Sequence, residues 1–315
     1  MKKINRFLSA FTILCISVSP AYSEEAAEEL QSIEITSSRL KTTAKKYAGS
    51  ISIITEEEIK QSGSTMVEDV LRDQLSIGIF KQGGVGGEST IRMRGADAKS
   101  VLVIIDGVRA NGNTTGSFDF RSLTTDNIER IEILRGSQTP VWGADAVGGV
   151  INIVTKKGRG TPTHTLSFET GNFGTFKETL ASSGTLNDID YSVSASRTDI
   201  SGYSDFNENR TAESGGRAEK DSYENNSLTS RLGTSFSEDG RIDFIGRYTR
   251  SNSDVDNTSG DQNRDTEIES FYLALPISKS ITPWWKIKLT PNIAYDANEV
   301  DTASQQIFNR TYITD

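Results

Sequence analysis

From about Gly158 onward the chain is a succession of short segments whose side-chain character alternates residue by residue, with turn residues between them. HTLSFET, GTFKETLAS, DIDYSVSASRT, NSLTSRLGTSFS, GRIDFIGRYTR, TEIESFYLALPIS and PWWKIKLTPNIAY all have this texture. Leu228, Leu232 and Phe236 fall on one face of their segment, Thr229, Arg231, Gly233 and Ser235 on the other; Phe271, Leu273, Leu275 and Ile277 repeat the pattern. A period of two is the period of a β-strand. Segments of about ten residues that alternate in this way are what a transmembrane β-barrel requires. Taken alone, the alternation also fits an all-β soluble sandwich. Trp284 and Trp285, with Tyr248 and Tyr272, are candidates for an interfacial aromatic girdle.

Composition narrows the choice. Apolar residues make up 35% of the chain, and no long apolar run follows the N-terminus, which excludes a helical membrane protein. A barrel is not excluded, because its lipid-facing residues alternate with polar ones and never form a run. A formal charge of −9 argues against a nucleic-acid-binding surface.

The first 23 residues, MKKINRFLSAFTILCISVSPAYS, place Lys2, Lys3 and Arg6 ahead of an apolar core from Leu8 to Val18 and close on Ala21-Tyr22-Ser23. That is the pattern of a secretory signal peptide, too short to span a bilayer and stop. Its removal takes the charge from −9 to −12, since it carries three cations and no acid. The only cysteine, Cys15, leaves with it, and His164 is the only histidine. A disulfide framework, a zinc–thiolate site and most histidine-based acid–base schemes are therefore unavailable. No nucleophile–base pair or phosphate loop stands out, so the chain does not read as an enzyme and requires no cofactor.

Residues 24–48 form an acidic and then basic leader that contains one short β-prone run, Ser32 to Ser37. Such a run can lend its backbone to a partner by strand addition, or remain a disordered leader. Residues 49–157 read as a small α/β domain. ISIIT (51–55) is a strand. Thr55 and Glu58 fit a capping box for a helix through Gln61, stopped by Gly63. A second helix is expected over 65–75, with Val67, Val70 and Leu71 on one face. Strands follow at 76–80, 89–95, 101–107, 128–136 and 149–157. The run VLVII at 101–105 is of the kind buried on both faces. Asp106-Gly107 ends it in a tight turn, and Gly143, Gly148 and Gly149 suggest a close backbone crossing.

The stretch VLVIIDGVRANG…NIERIEILRGSQTPVWGADAVGGVINIVTKKG, with IRMRGAD, STMVEDVLRD and SIEITSS upstream in order, resembles the plug domain of TonB-dependent outer-membrane receptors. The resemblance covers roughly residues 30–157, and within the family it is strongest to cobalamin receptors, with siderophore receptors next. It implies an α/β plug followed by antiparallel transmembrane β-barrel strands over 158–315, located in the outer membrane of a Gram-negative bacterium. It implies energy-coupled uptake of cobalamin or a ferric siderophore, an iron chelate. The partners it implies are that ligand, outer-membrane lipid and the periplasmic domain of TonB.

Residue by residue, the resemblance makes Ile33, Glu34, Ile35, Thr36 and Ser37 the TonB-coupling segment. Arg94 and Arg135 become plug arginines that meet carboxylates on the inner barrel wall. Glu88, Thr90, Asp97 and Thr115 fall where cobalamin receptors touch ligand, although the residue types at 88 and 97 depart from the family's. The glycine-rich first apical loop, Gln82 to Thr90, would be flexible enough to fold against that ligand. Calcium is implied by carboxylates in the 199–265 region, with Asp205, Asp221, Asp254, Asp256 and Asp265 as ligands.

Plugged transporters have about 22 strands, whereas residues 158–315 offer seven or eight. An eight-stranded barrel cannot house a plug, and an open sheet edge in lipid leaves backbone groups unsatisfied. The length therefore predicts a truncated or partial receptor. One half of a split receptor, and a plug-only periplasmic binding or signalling protein, are the alternatives.

Overall fold

The computed structural model describes residues 49–112, 115–203, 220–257, 260–282, 284–302 and 305–314, together with two short strands, β1 (Glu34–Ile35) and β2 (Thr42–Thr43). The leader through Ile33, and with it the expected signal peptide, lies outside the described residues.

The first domain is a mixed five-stranded sheet. It comprises β3 (Ser50–Thr55), β6 (Val101–Ile105), β7 (Val108–Arg109), β8 (Ile128–Arg135) and β9 (Gly149–Thr155), in the order β3-β8-β9-β6-β7. β6 and β9 run parallel, and the other neighbours are antiparallel. Two cores flank the sheet, and alternation along β6 separates them. Val101 and Val103 pack with Ile131, Ile133, Ile151 and Ile153 on one face, while Leu102 and Ile104 pack with Leu134, Ala146 and Val150 on the other. A strand buried on both faces has to be apolar at every position, which explains the unbroken run.

Helix α1 (Glu56–Ser62) begins at the expected capping box, with Thr55 accepting from the Glu58 backbone and Glu58 reaching back to Thr55 N at 2.7 Å. It ends at Gly63, whose φ of 63° only glycine adopts without strain. Helix α2 (Val67–Arg72) is shorter than its apolar spacing predicts, although Val67, Val70 and Leu71 are all buried as expected. Its start is fixed by a bridge from Met66 to Thr124, and Ser76 turns into the left-handed region just beyond it. Leu75 is left exposed. A separate hairpin pairs β4 (Ile77–Lys81) with β5 (Ser89–Met93).

The second part is an antiparallel meander: β10 (Thr163–Thr170), β11 (Phe176–Leu186), β12 (Ile189–Ile200), β13 (Tyr223–Ser237), β14 (Gly240–Asn257), β15 (Gly260–Ala274), β18 (Asn292–Thr302) and β19 (Gln305–Thr314). The β11–β12 turn is Asn187-Asp188, both at positive φ, the geometry a two-residue hairpin prefers. Two segments read as single strands are interrupted. At Pro276 the line of β15 passes into β16 (Ile277–Thr282), which pairs with the start of β14. At Pro291, β17 (Trp285–Leu289) passes into β18. Proline has no N–H to give a ladder, so the register breaks there. Trp284 stands at the exposed tip of the β16–β17 hairpin.

Polarity in this wall is inverted relative to a soluble sandwich. On β12, Ser192, Ser194, Ser196 and Thr198 are buried against the first domain, while Val193 and Ala195 face outward. Leu180, Leu228, Leu232, Phe244 and Phe271 are likewise exposed on the outer face. Polar-in, apolar-out alternation is the transmembrane barrel pattern. Among the described residues no helix is long and apolar enough to cross a membrane.

Candidate functional site

The first domain is seated against the inner face of the wall, and the segment Arg121–Asn127 runs along that seam. Tyr223 of β13 donates its hydroxyl to the Arg121 carbonyl at 2.9 Å and accepts from Asn225 Nδ2 at 2.9 Å. Asp126 is paired with Lys177 of β11 at 2.8 Å, both side chains almost fully buried, and accepts from Ser196 Oγ at 2.8 Å. Asn127 sits at a φ of 59°, a conformation asparagine tolerates better than most residues. From that turn its amide donates to Thr229 Oγ1 at 2.8 Å and accepts from Ser192 Oγ at 3.1 Å.

At the end of β6 the Asp106-Gly107 turn does more than reverse the chain. The Asp106 carboxylate accepts from Thr155 N at 3.0 Å and Thr155 Oγ1 at 2.7 Å, which ties the turn to β9. It also meets Arg231 of β13 at 3.0 Å. Arg231 lies 3.7 Å from Asp243, which is in turn bonded by Arg241. Asp106, Arg231, Asp243 and Arg241 therefore each face a partner of opposite sign, the condition for tolerating charge inside a protein.

Between the seam and strands β14, β15 and β18 lies a crevice of about 380 Å³. Val108, Phe118 and Leu123 supply its apolar side, and Arg247, Tyr272 and Asp296 its polar wall. Arg247 contributes a guanidinium whose Nε donates to Thr249 Oγ1 at 3.4 Å. The crevice can hold a small molecule through apolar contact and a few polar anchors.

Of the residues singled out for ligand contact, Glu88 and Thr115 line this crevice. Asp97 is exposed and lies 3.8 Å from Arg92, and Thr90 belongs to β5; neither reaches the crevice. The first apical loop is fixed rather than free. Gly86 O accepts from Ser253 Oγ at 3.2 Å, and a Cβ on Gly86 would stand 2.5 Å from Ser253 Cβ and 2.6 Å from the Tyr223 ring. Its glycines serve close packing against the wall.

Arg94 and Arg135 stand on the first domain without touching the described strands of the wall. Arg135 donates to Leu75 O at 2.8 Å and Ser52 Oγ at 2.7 Å. Burial, and then the nearby charge of Arg94, hold its pKa below the ordinary guanidinium value. Among the described residues, Asp106–Arg231 and Asp126–Lys177 are ion pairs that join the two parts, and neither is among the residues singled out above. The only signal for them was Asp106 in its turn and charges at alternate, inward positions of strands.

The coupling segment is described only at Glu34 and Ile35, which pair antiparallel with Thr43 and Thr42; Ile33, Thr36 and Ser37 lie outside the described residues. Asp205 also lies outside them, and for Asp256 only its place on β14 is described. Asp221 is buried beside Gly84, and Asp254 accepts from Ser222 N and Oγ. Among the described residues no three metal-ligating side chains gather.

A family model described as the TonB-dependent Receptor Plug Domain matches residues 43–150. The Vitamin B12 transporter BtuB of Photobacterium profundum is 27% identical over 265 residues, covering 84% of this chain and 42% of that protein. That of Vibrio vulnificus is 34% identical over 165 residues, 51% of this chain and 27% of that protein. The siderophore receptor PiuA from Acinetobacter baumannii superposes with a TM-score of 0.63 at 19% identity, over 80% of this chain and 37% of that one, a likeness of fold. The chain thus spans less than half the length of each relative. Residues 43–150, 108 residues that fold as a plug fitted to its wall through buried ion pairs, match the plug domain of TonB-dependent receptors, and the chain's sequence likeness is to the vitamin B12 transporters.

Proposed function

We propose that the chain serves energy-coupled uptake of a scarce nutrient, cobalamin-like or a ferric chelate, across the outer membrane of a Gram-negative bacterium. The observation that carries this reading is the plug seated by Asp106–Arg231 and Asp126–Lys177 against strands that are polar inside and apolar outside. A bilayer accepts such strands only in a closed barrel. β10 and β19 each pair on one side alone among the described residues, which supports a wall completed by further strands. Ligand is held at the crevice, with Glu88 and Thr115 at its plug side. No catalytic step is assigned to it.

Coupling runs through residues 33–37, which lend their backbone to the periplasmic domain of TonB by strand addition. Cells lacking their own cobalamin and siderophore receptors are given the gene, and uptake of labelled cobalamin is competed against ferric siderophores. Ile35→Pro should abolish uptake and leave ligand binding at the cell surface intact. Uptake that survives Ile35→Pro sinks the coupling assignment, and no uptake of either ligand by the unaltered protein sinks the receptor reading.

A further inference from the structure

The inner face of the wall carries cations at two levels. Arg247 on β14 stands directly opposite Thr229 on β13 and Tyr272 on β15 and opens into the crevice. Six residues away along β14 (247 to 241), about 20 Å at the usual strand rise, Arg241 lies in one row with Ser278 of β16 and Lys288 of β17. Lys286 follows on the same face, opposite Ser280. The Asp106-Gly107 turn lies between the two levels. Ile105 and Val108 on either side of it line the crevice, and a Cβ at Gly107 would stand 3.2 Å from Lys288 Nζ. Lys157, just beyond β9, belongs to the lower level, where burial and then the charge of Arg231 hold its pKa below the ordinary lysine value.

These cations differ in what holds them. Arg231 is paired with Asp106 and Asp243, and Arg241 with Asp243 and Asp190. Arg247, Lys157, Lys286 and Lys288 have no ion pair among the described residues. Lysines at an open rim are ordinarily solvated, but Arg247 is set in the crevice wall. The carboxylates whose charge reaches it, Asp106 and Asp126, are already held by Arg231 and Lys177. Within the crevice Asp119 is held by Arg121, and Asp296 lies two strands away on β18. A guanidinium that faces a cavity in place of a carboxylate offers its fork of donors to an anionic oxygen, the group that fork fits best.

We propose that Arg247 on one side of the Asp106-Gly107 turn, and Lys157, Lys286 and Lys288 on the other, are successive stations for an anionic group of the transported ligand, a phosphodiester or a carboxylate. The inference rests on the uptake reading above and adds to it the charge of the group that passes. The turn is the crevice floor, and Asp106–Arg231 holds it to the wall. While that pair is made, the anion stays at Arg247; displacing the turn joins the upper station to the lysines below.

The test gives cells lacking their own receptors the gene for the unaltered chain, Arg247→Gln, Arg247→Lys or the pair Lys286→Gln/Lys288→Gln, and measures each protein's outer-membrane level by immunoblot. Two pairs of labelled ligands are compared. One is cobalamin against the same corrinoid stripped of its phosphodiester nucleotide, the other a ferric tricarboxylate chelate against an uncharged ferric hydroxamate. The readout is the ratio of uptake, the member with the anionic group over the member without it, per molecule of protein. Arg247→Gln should lower that ratio about tenfold, the loss of one charge-assisted contact. Arg247→Lys should restore most of it, and the lysine pair should lower it in the same direction. The ligand pair that responds tells a phosphodiester from a carboxylate. An unmoved ratio overturns the proposal, as does an equal fall for both members, the mark of a purely structural role. Should Arg247→Gln not reach the membrane, the ratio in Lys286→Gln/Lys288→Gln decides in the same terms. No uptake of any ligand by the unaltered chain overturns the receptor reading and this proposal together, whereas uptake confined to the uncharged members overturns this proposal alone.

Discussion

Asp106 and Arg231 are 125 residues apart in sequence and meet at 3.0 Å, the carboxylate 1% exposed and the guanidinium 11%. The same carboxylate caps the end of β9 through Thr155, so one side chain joins the plug's central sheet to the wall. Removing one partner of a buried pair leaves the other uncompensated, at a cost of about 3–5 kcal/mol. Arg231→Met is therefore expected to lower the thermal unfolding midpoint of the plug and to expose it to protease. The double variant Asp106→Asn/Arg231→Met should recover part of that loss. Additive losses in the double variant would show that the pair does not couple plug to wall.

Tyr223 offers a graded test of the seam. Tyr223→Phe removes the hydroxyl bonded to the Arg121 carbonyl and to Asn225, and should cost about 1–2 kcal/mol. Tyr223→Ala also removes the ring that packs with Met66 and Ile200, and should cost about 3–5 kcal/mol. Denaturant midpoints measured in detergent separate the two. Identical losses would mean that the ring contributes no packing.

Much of the fold is legible in the sequence, because its determinants are local. The capping box at Thr55 and Glu58, the stop at Gly63, the two-faced run at 101–105 and the alternation after Gly158 each specify structure from neighbouring residues. The seam is less legible for a physical reason. An inward charge on a strand has the same sequence appearance as a solvated one, and only the fold shows that Arg231 faces Asp106 while Arg135 faces Leu75 and Ser52. Glycines are ambiguous in the same way. Those of the 82–90 loop suggest mobility, yet Gly87 carries no Cβ because Gln82 O would stand 1.7 Å from it. The prolines at 276 and 291 were visible, but the strand pieces they separate are set by pairing with β14 and between β16 and β17.

Gly149 and Gly95 separate crowding from backbone strain. Both have positive φ, 153° and 78°. A Cβ at 149 would stand 2.3 Å from Leu134 O and 2.4 Å from Met93 Sδ, whereas at 95 nothing lies within 4 Å. Gly95→Ala should cost about 1 kcal/mol, from conformation alone. Gly149→Ala should cost about 3 kcal/mol, since a close-packed crossing has to open. Chemical denaturation of each variant measures both, and comparable values would remove the case for a required close crossing.

The last prediction concerns acid. Burial raises the pKa of Glu56, but Lys156 at 2.8 Å and Lys60 at 2.6 Å outweigh it and hold the carboxyl below its ordinary 4.5. A carboxylate whose folded pKa is depressed stabilises the fold fully above its unfolded value, and the contribution is lost as pH falls through the folded one. Glu56 and Lys156 are 28% and 33% exposed, so solvent screening limits the contribution to about 1 kcal/mol. Glu56→Gln should therefore destabilise the plug by about that amount at pH 7, and the difference from the unaltered chain should vanish as the pH falls below 4.5 toward the lower folded value. Denaturant midpoints of both proteins across that range give the answer. A gap that persists undiminished at the acid end would show that the Glu56 contribution is not electrostatic, and that the helix start is held by Thr55 and Glu58 alone.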